Sequence, residues 1–231
     1  MLKKEARMIF AASEKIGWVL EPEAKRLLSL SGIDIPKFHW AKSLEESIQF
    51  AGKIGYPVVA KIVSPKALHK SDLGGVVVGI DSDKKLTEVY QTFKSLEGFA
   101  GILVEEMVSG IEMIVGAKLD YQFGPVIMLG MGGTAVEIYR DTTLRMAPLR
   151  QQDVTSMLSA LKGHKLLRGY RGSASLNQAA LAKTLMAFSD LVMELGEYFE
   201  SMDLNPLMCS PKRCVVADAR IMLKRKGAKN E

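Results

Sequence analysis

Near the carboxy terminus, Ser210-Pro211-Lys212-Arg213 separates two strand-like runs, MDLNPLM and CVVADARI. Four turn-forming residues between such runs predict an antiparallel hairpin. No other stretch constrains the fold as tightly, because the turn fixes the register of every pair behind it. Centred between Pro211 and Lys212, the hairpin sets Asn205 opposite Asp218 and Asp203 opposite Arg220. Residues two apart on a strand share a face, so these four side chains are expected in one patch. Hard oxygen donors gathered this way suit Mg²⁺ with nucleotide phosphates. A solvated hairpin face is the plainer alternative. Pro206 fits an interior strand only at a bulge or edge, and a bulge would break the simple register.

The rest of the chain mixes helical and strand periods, which predicts a mixed α/β (α+β) fold. Met8, Ala12, Ile16 and Val19 recur at helical spacing. Glu21-Pro22 opens a second helix with Ala24, Leu27 and Leu28 inside, and Gly32 ends it. Ser43 and Glu46 form a capping box before Leu44, Ile48 and Ala51. VVAKIV at 58–63, VVVGI, GILVEEMV at 101–108, GIEMIVGAKLD and GPVIMLG read as strands. Leu86, Val89, Tyr90 and Phe93 mark a helix, and so do Leu181, Leu185, Phe188, Val192 and Leu195. GMGGTAVEIYRD at 130–141 reads as a Gly-rich turn running into a strand. Two lobes are expected. Residues 1–100 carry the amino-terminal helices and a small lobe. Residues 101–231 carry a larger lobe, richer in strand, with the hairpin and a basic tail.

Composition narrows the function classes. The 231 residues carry a net charge of +5, which suits RNA, a membrane surface or a phosphorylated ligand equally. Two cysteines make neither a disulfide scaffold nor a complete sulfur-ligated zinc site, and a reducing compartment follows. The opening MLKKEARMIFAASEKIG lacks the apolar core of a secretory signal. No run is long and apolar enough to span a bilayer, so a cytoplasmic protein without membrane contact is expected.

Several residues are candidates for phosphate chemistry. Lys61 interrupts an apolar strand, where an ammonium needs water or a partner. It either snorkels at a sheet edge or points into a phosphate pocket. His69 lies in the loop SPKALHKSDLGG among Lys66, Lys70 and Asp72, with Gly74-Gly75 behind it. A histidine there can act as base, ligand or phosphoryl acceptor, although a lone loop histidine is usually none of these. The loop is not a P-loop, and GMGG lacks dinucleotide-fold spacing. Glu105 and Glu106 end a strand, and Glu112 follows the turn, an arrangement able to grip a nucleoside. Glu137, Arg140, Asp141 and Arg145 form a charged cluster, read either as phosphate-side residues or as a surface ion-pair network. His164, Lys165, Arg168 and Arg171 form a basic patch that could touch an anion or RNA. Tyr170 is its only nearby aromatic, too little for a stacking platform.

Five blocks in order, YPVVAKIVSPKALHKSDLGGVVVGI, GILVEEMVSGIEMIVGAKLD, GPVIMLGMGGTAVEIYRD, LLRGYRG and DLNPLM…VVADAR, resemble the ATP-grasp β subunits of archaeal ADP-forming acetate–CoA ligases. The resemblance covers nearly the whole chain. It implies an ATP-grasp fold whose two lobes clasp ATP or ADP with Mg²⁺. It implies reversible conversion of acyl-CoA, ADP and phosphate into acid, ATP and CoA. It also implies a CoA-binding α subunit with a phosphorylated histidine on a mobile segment, in an α₂β₂ complex.

By the same resemblance, Lys61 contacts nucleotide phosphate and His69 is a second phosphoryl acceptor. Residues 105–108 (Glu105, Glu106, Met107, Val108) bind adenine, with Glu112 at the ribose. Asn205 and Asp218 ligate Mg²⁺ beside Asp203, and Glu137 and Arg145 stand on the phosphate side. The His69 loop replaces the Gly-rich phosphate loop of succinate–CoA ligases, which favours the acetyl-type branch. The alternatives are another ATP-grasp ligase, of the succinate–CoA or carboxylate–amine kind; one that couples a carboxylate to an amine or a thiol through a directly formed acyl phosphate would be active from this chain alone. A nonenzymatic or nucleic-acid-binding module would bind no Mg·ATP, and no nucleic acid is expected as a partner.

Overall fold

The structure is a computed structural model and describes residues 2–133, 140–171 and 174–224. These fall into two units, residues 36–108 and residues 1–35 with 109–231. The expected division at residue 100 is therefore corrected. The first 35 residues belong to the larger unit because β1 (Trp18–Val19) pairs with β11 (Ala219–Leu223), Trp18 opposite Met222. Strand pairing from the far end of the chain outweighs nearness in sequence.

In the 36–108 unit, β2 (Phe38–Ala41), β3 (Val58–Ile62), β4 (Val76–Ile80) and β5 (Ile102–Glu106) form a sheet in the order β2-β5-β3-β4. All its pairs are antiparallel. Helices α3 (Leu44–Ile54) and α4 (Asp83–Lys94) pack with it around Ala51, Ala60, Ile62, Leu86, Phe93, Ile102 and Val104. Ser43 accepts a hydrogen bond from Glu46 N–H as expected. The Glu46 carboxylate accepts from Lys42 N–H at 2.7 Å rather than from Ser43, so the capping box is displaced by one residue.

The larger unit holds β6 (Ile111–Asp120), β7 (Gly124–Met131), β8 (Thr142–Met146), β9 (Phe199–Cys209) and β10 (Cys214–Val216) as well as β1 and β11. Its path is β1-β11-β9-β6-β7-β8, with β10 also paired to β9. Helices α1 (Leu2–Ser13), α2 (Glu21–Leu30), α5 (Gln151–Ala160), α6 (His164–Leu167) and α7 (Gln178–Leu195) accompany it. Alternate strand residues, Met113, Val115, Ile127, Leu129, Met202, Leu204 and Ile221, join the apolar residues of these helices in one core. That leaves an outer face opposite the core. Leu181, Leu185, Phe188, Val192 and Leu195 of α7 are all buried, and each contributes about 2 kcal/mol of burial. In α1 the expected stripe is out of phase. Ala6, Ile9 and Phe10 face the core, Met8 is 61 % exposed, and Val19 has already entered β1.

Candidate nucleotide and metal site

The closing hairpin keeps its predicted register. Arg220 stands opposite Asp203, Val216 opposite Leu207 and Cys214 opposite Cys209. Asn205 N–H donates to the Asp218 carbonyl at 3.1 Å. Pro206 lies inside β9, which has neighbours on both sides. The bulge it requires falls on the β6 side, where the register shifts between Met113↔Leu207 and Val115↔Leu204. Opposite it, the partner strand is interrupted between β10 and β11. The proline is thus accommodated without disturbing the hairpin's own pairing.

Burial alternates around these residues. Leu204 and Leu207 are buried on one side of the hairpin, and Ala219 and Ile221 on the other. Asp203, Asn205, Asp218 and Arg220 are not buried, and they share the outer face. Arg220 Nη2 donates to Asp203 Oδ2 at 3.0 Å, while its buried Nε has no partner among the described residues. Gly116 lies opposite Asp203 on β6, and a β-carbon there would come 3.5 Å from Asp203 Oδ1. Among the described residues no group of three His, Cys, Asp or Glu side chains gathers for a metal. Magnesium asks less, one or two carboxylates plus waters and phosphates, so two aspartates and an asparagine amide fit it.

Glu112 lies on the same outer face. It pairs with Met208, whereas its neighbour Met113 is buried. Its carbonyl accepts from Gly132 N–H at 2.6 Å. A β-carbon at Gly132 would fall 2.7 Å from the Glu112 carbonyl carbon, so this approach requires glycine. Gly132 was not among the expected site residues, although GMGG carried the signal.

Arg145 is not brought to this face. It pairs with the buried Ile127 on the core side of the sheet, and Nη2 donates to Ser156 Oγ on α5 at 2.6 Å. Asp141 is buried, and its carboxylate accepts from Lys162 N–H and Gly163 N–H, both at 2.7 Å. It ties the α5–α6 connection to the start of β8. Of the expected charged cluster, Asp141 and Arg145 are thus taken up in contacts with α5 and the segment after it, while Arg140 is exposed. Glu137 lies outside the described residues.

In the 36–108 unit, Lys61 sits on β3, an interior strand, so it does not snorkel at an edge. Val59 pairs with Glu105 and Lys61 with Leu103, which makes Lys61 and Glu105 diagonal neighbours. Their charged atoms are 3.0 Å apart, with side chains 7 % and 3 % exposed. Both lie opposite the α3–α4 core, which their strand neighbours Ala60, Ile62 and Val104 enter. Glu106 is half-buried at the end of β5, its N–H bonded to the Lys37 carbonyl, with Met107 and Val108 just beyond.

His69 is exposed, in a loop folded onto its own backbone. Leu73 N–H and Gly75 N–H both donate to the Lys70 carbonyl. A β-carbon at Gly75 would come 2.5 Å from Ile62 Cγ2. Gly75 therefore serves the close packing of the loop on β3, and Gly74 takes the left-handed turn before it (φ 63°).

An ATP-grasp domain model matches residues 11–223. The β subunit of acetate–CoA ligase (ADP-forming) I from Pyrococcus furiosus is 40 % identical over 213 residues, which cover 89 % of this chain and 91 % of that one. The 4-hydroxybutyrate–CoA ligase (ADP-forming) of Nitrosopumilus maritimus is 38 % identical over 96 % of this chain, which spans 33 % of that longer protein. Acetyl-coenzyme A synthetase 1 of Ca. Korarchaeum cryptofilum, solved with coenzyme A and Mg-AMPPCP and with its phosphohistidine segment pointing towards the nucleotide binding site, superposes with a TM-score of 0.84. It is 38 % identical, and the match covers 94 % of this chain and 99 % of that one. This chain belongs to the ATP-grasp family, in the branch of β subunits of ADP-forming acetate/acyl-CoA ligases.

Proposed function

We propose that the chain is the nucleotide-binding subunit of an ADP-forming acyl-CoA ligase. A CoA-binding α subunit turns acyl-CoA and phosphate into free acid and CoA, passing the phosphoryl group through its phosphohistidine. This subunit delivers that group to ADP, and the cycle is reversible. The observation that carries the reading is the single outer face bearing Asp203, Asn205 and Asp218 in the register their sequence dictates.

Asn205 and Asp218 hold magnesium, and Asp203 supports them. Bound with the nucleotide, the metal would neutralise phosphate charge as transfer proceeds. Lys61, oriented by Glu105, contributes positive charge toward phosphate. Backbone groups of residues 105–108 receive adenine, and the Glu112 carboxylate accepts from the ribose hydroxyls. His69 is exposed and able to meet a partner segment. Its unprotonated ring nitrogen attacks the phosphorus of the partner's phosphohistidine. One N–P bond forms as the other breaks, and ADP oxygen then displaces the imidazole. The complex is α₂β₂ and works in the cytoplasm.

Incubation with γ-labelled ATP and Mg²⁺ is expected to place acid-labile label on His69 and none on a His69→Ala variant. Undiminished turnover of that variant beside its α subunit would remove the relay. Full turnover by the chain alone would replace the two-subunit reading with a self-contained carboxylate ligase.

A further inference from the structure

The basic patch around His164 is not used by the site above, yet the structure gives it a definite shape. Helices α5 and α7, with the short α6 at one end, enclose a hollow of about 250 Å³. It lies on the helical side of the larger unit, away from the outer face of its sheet. Buried Val154 and Leu167 line its floor. Its polar lining includes Arg168, His164, Gln151 and Gln178, and no carboxylate is among the described lining residues.

Arg168 is exposed, and its guanidinium has no partner among the described residues. His164 Nδ1 lies 3.0 Å from the Leu161 carbonyl. Donation there leaves Nε2 as the imidazole's remaining polar atom. A planar guanidinium beside an apolar floor matches a carboxylate with a short hydrocarbon body: the fork takes both oxygens and the floor takes the chain. A phosphate dianion would ask for more charge and would leave Val154 and Leu167 uncovered by apolar atoms.

We infer that this hollow binds a small organic monocarboxylate, at a site separate from the outer face that carries Asn205 and Asp218. An acid is the class of compound that ADP-forming acyl-CoA ligases make or consume, so the site would let the nucleotide subunit sense acid. The binding claim itself stands whether or not the relay through His69 is correct.

The chain has three histidines, His39, His69 and His164, so three ring Cε1–H signals report on it by NMR. Titration of the full chain with sodium butyrate is expected to move the His164 signal to saturation and leave the other two in place. Arg168→Met should weaken the response about tenfold or more. Ala179→Phe, a substitution at an exposed lining position, should block it by filling the hollow. An unmoved His164 signal, or an unchanged response in both variants with unaltered melting temperatures, would overturn the inference. Displacement of butyrate by an equal or lower concentration of inorganic phosphate would overturn the choice of carboxylate.

Discussion

Lys61 and Glu105 are each other's compensation. Both side chains are almost sealed from water, so removing one partner takes from the other its buried counter-charge at 3.0 Å. Lys61→Met is expected to cost about 3 kcal/mol in urea unfolding of the 36–108 unit, as well as weakening Mg·ADP binding. Lys61→Met combined with Glu105→Leu should recover most of the stability and none of the binding. That split separates the pair's structural contribution from its contact with phosphate. Asp218→Asn should behave in the opposite way, with unfolding nearly unchanged and Mg²⁺-dependent ADP affinity down about tenfold, checked by calorimetry with and without the metal. Cys209 and Cys214 face each other across β9 and β10, both buried and free. The hydrogen bond with Cys214, together with burial, pushes the Cys209 thiol well above its ordinary value. Both thiols should therefore stay silent to Ellman's reagent until the chain is unfolded.

At the scale of elements, the hairpin shows how one proline is absorbed in a central strand. Pro206 needs a place where no ladder bond is owed, and the β6-side bulge and the β10–β11 interruption provide it. The bulge also leaves Asn205 and Pro206 both off the core face while Leu204 and Leu207 stay in it. Asp141 does comparable service between elements. Its buried carboxylate takes two backbone N–H donors at the end of α5, so Asp141→Ala should cost about 2 kcal/mol in denaturant unfolding. Ser43→Ala removes only the α3 cap, at about 1 kcal/mol, measurable in the same way.

On the scale of the whole molecule, residues 36–108 form a unit inserted into the other unit's sequence, with its own sheet and core. Its ends are adjacent, since Glu106 N–H reaches the Lys37 carbonyl at 2.9 Å. A fragment spanning 36–108 is expected to give the dispersed amide spectrum of a folded domain. A fragment of 109–231 should not, because it lacks β1 and the α1–α2 side of its core. Local spacing alone determined the inward faces of α2, α4 and α7 and the register of the closing hairpin. In each case the signal lies within one helix or one turn, where backbone geometry converts spacing into direction. Only the tertiary structure decided where the chain divides, that Arg145 meets Ser156, that Lys61 meets Glu105, and that α1 turns Ala6 and Phe10 inward instead of Met8. Each of these depends on which distant strand or helix arrives as neighbour, and residue spacing along a chain carries no record of that.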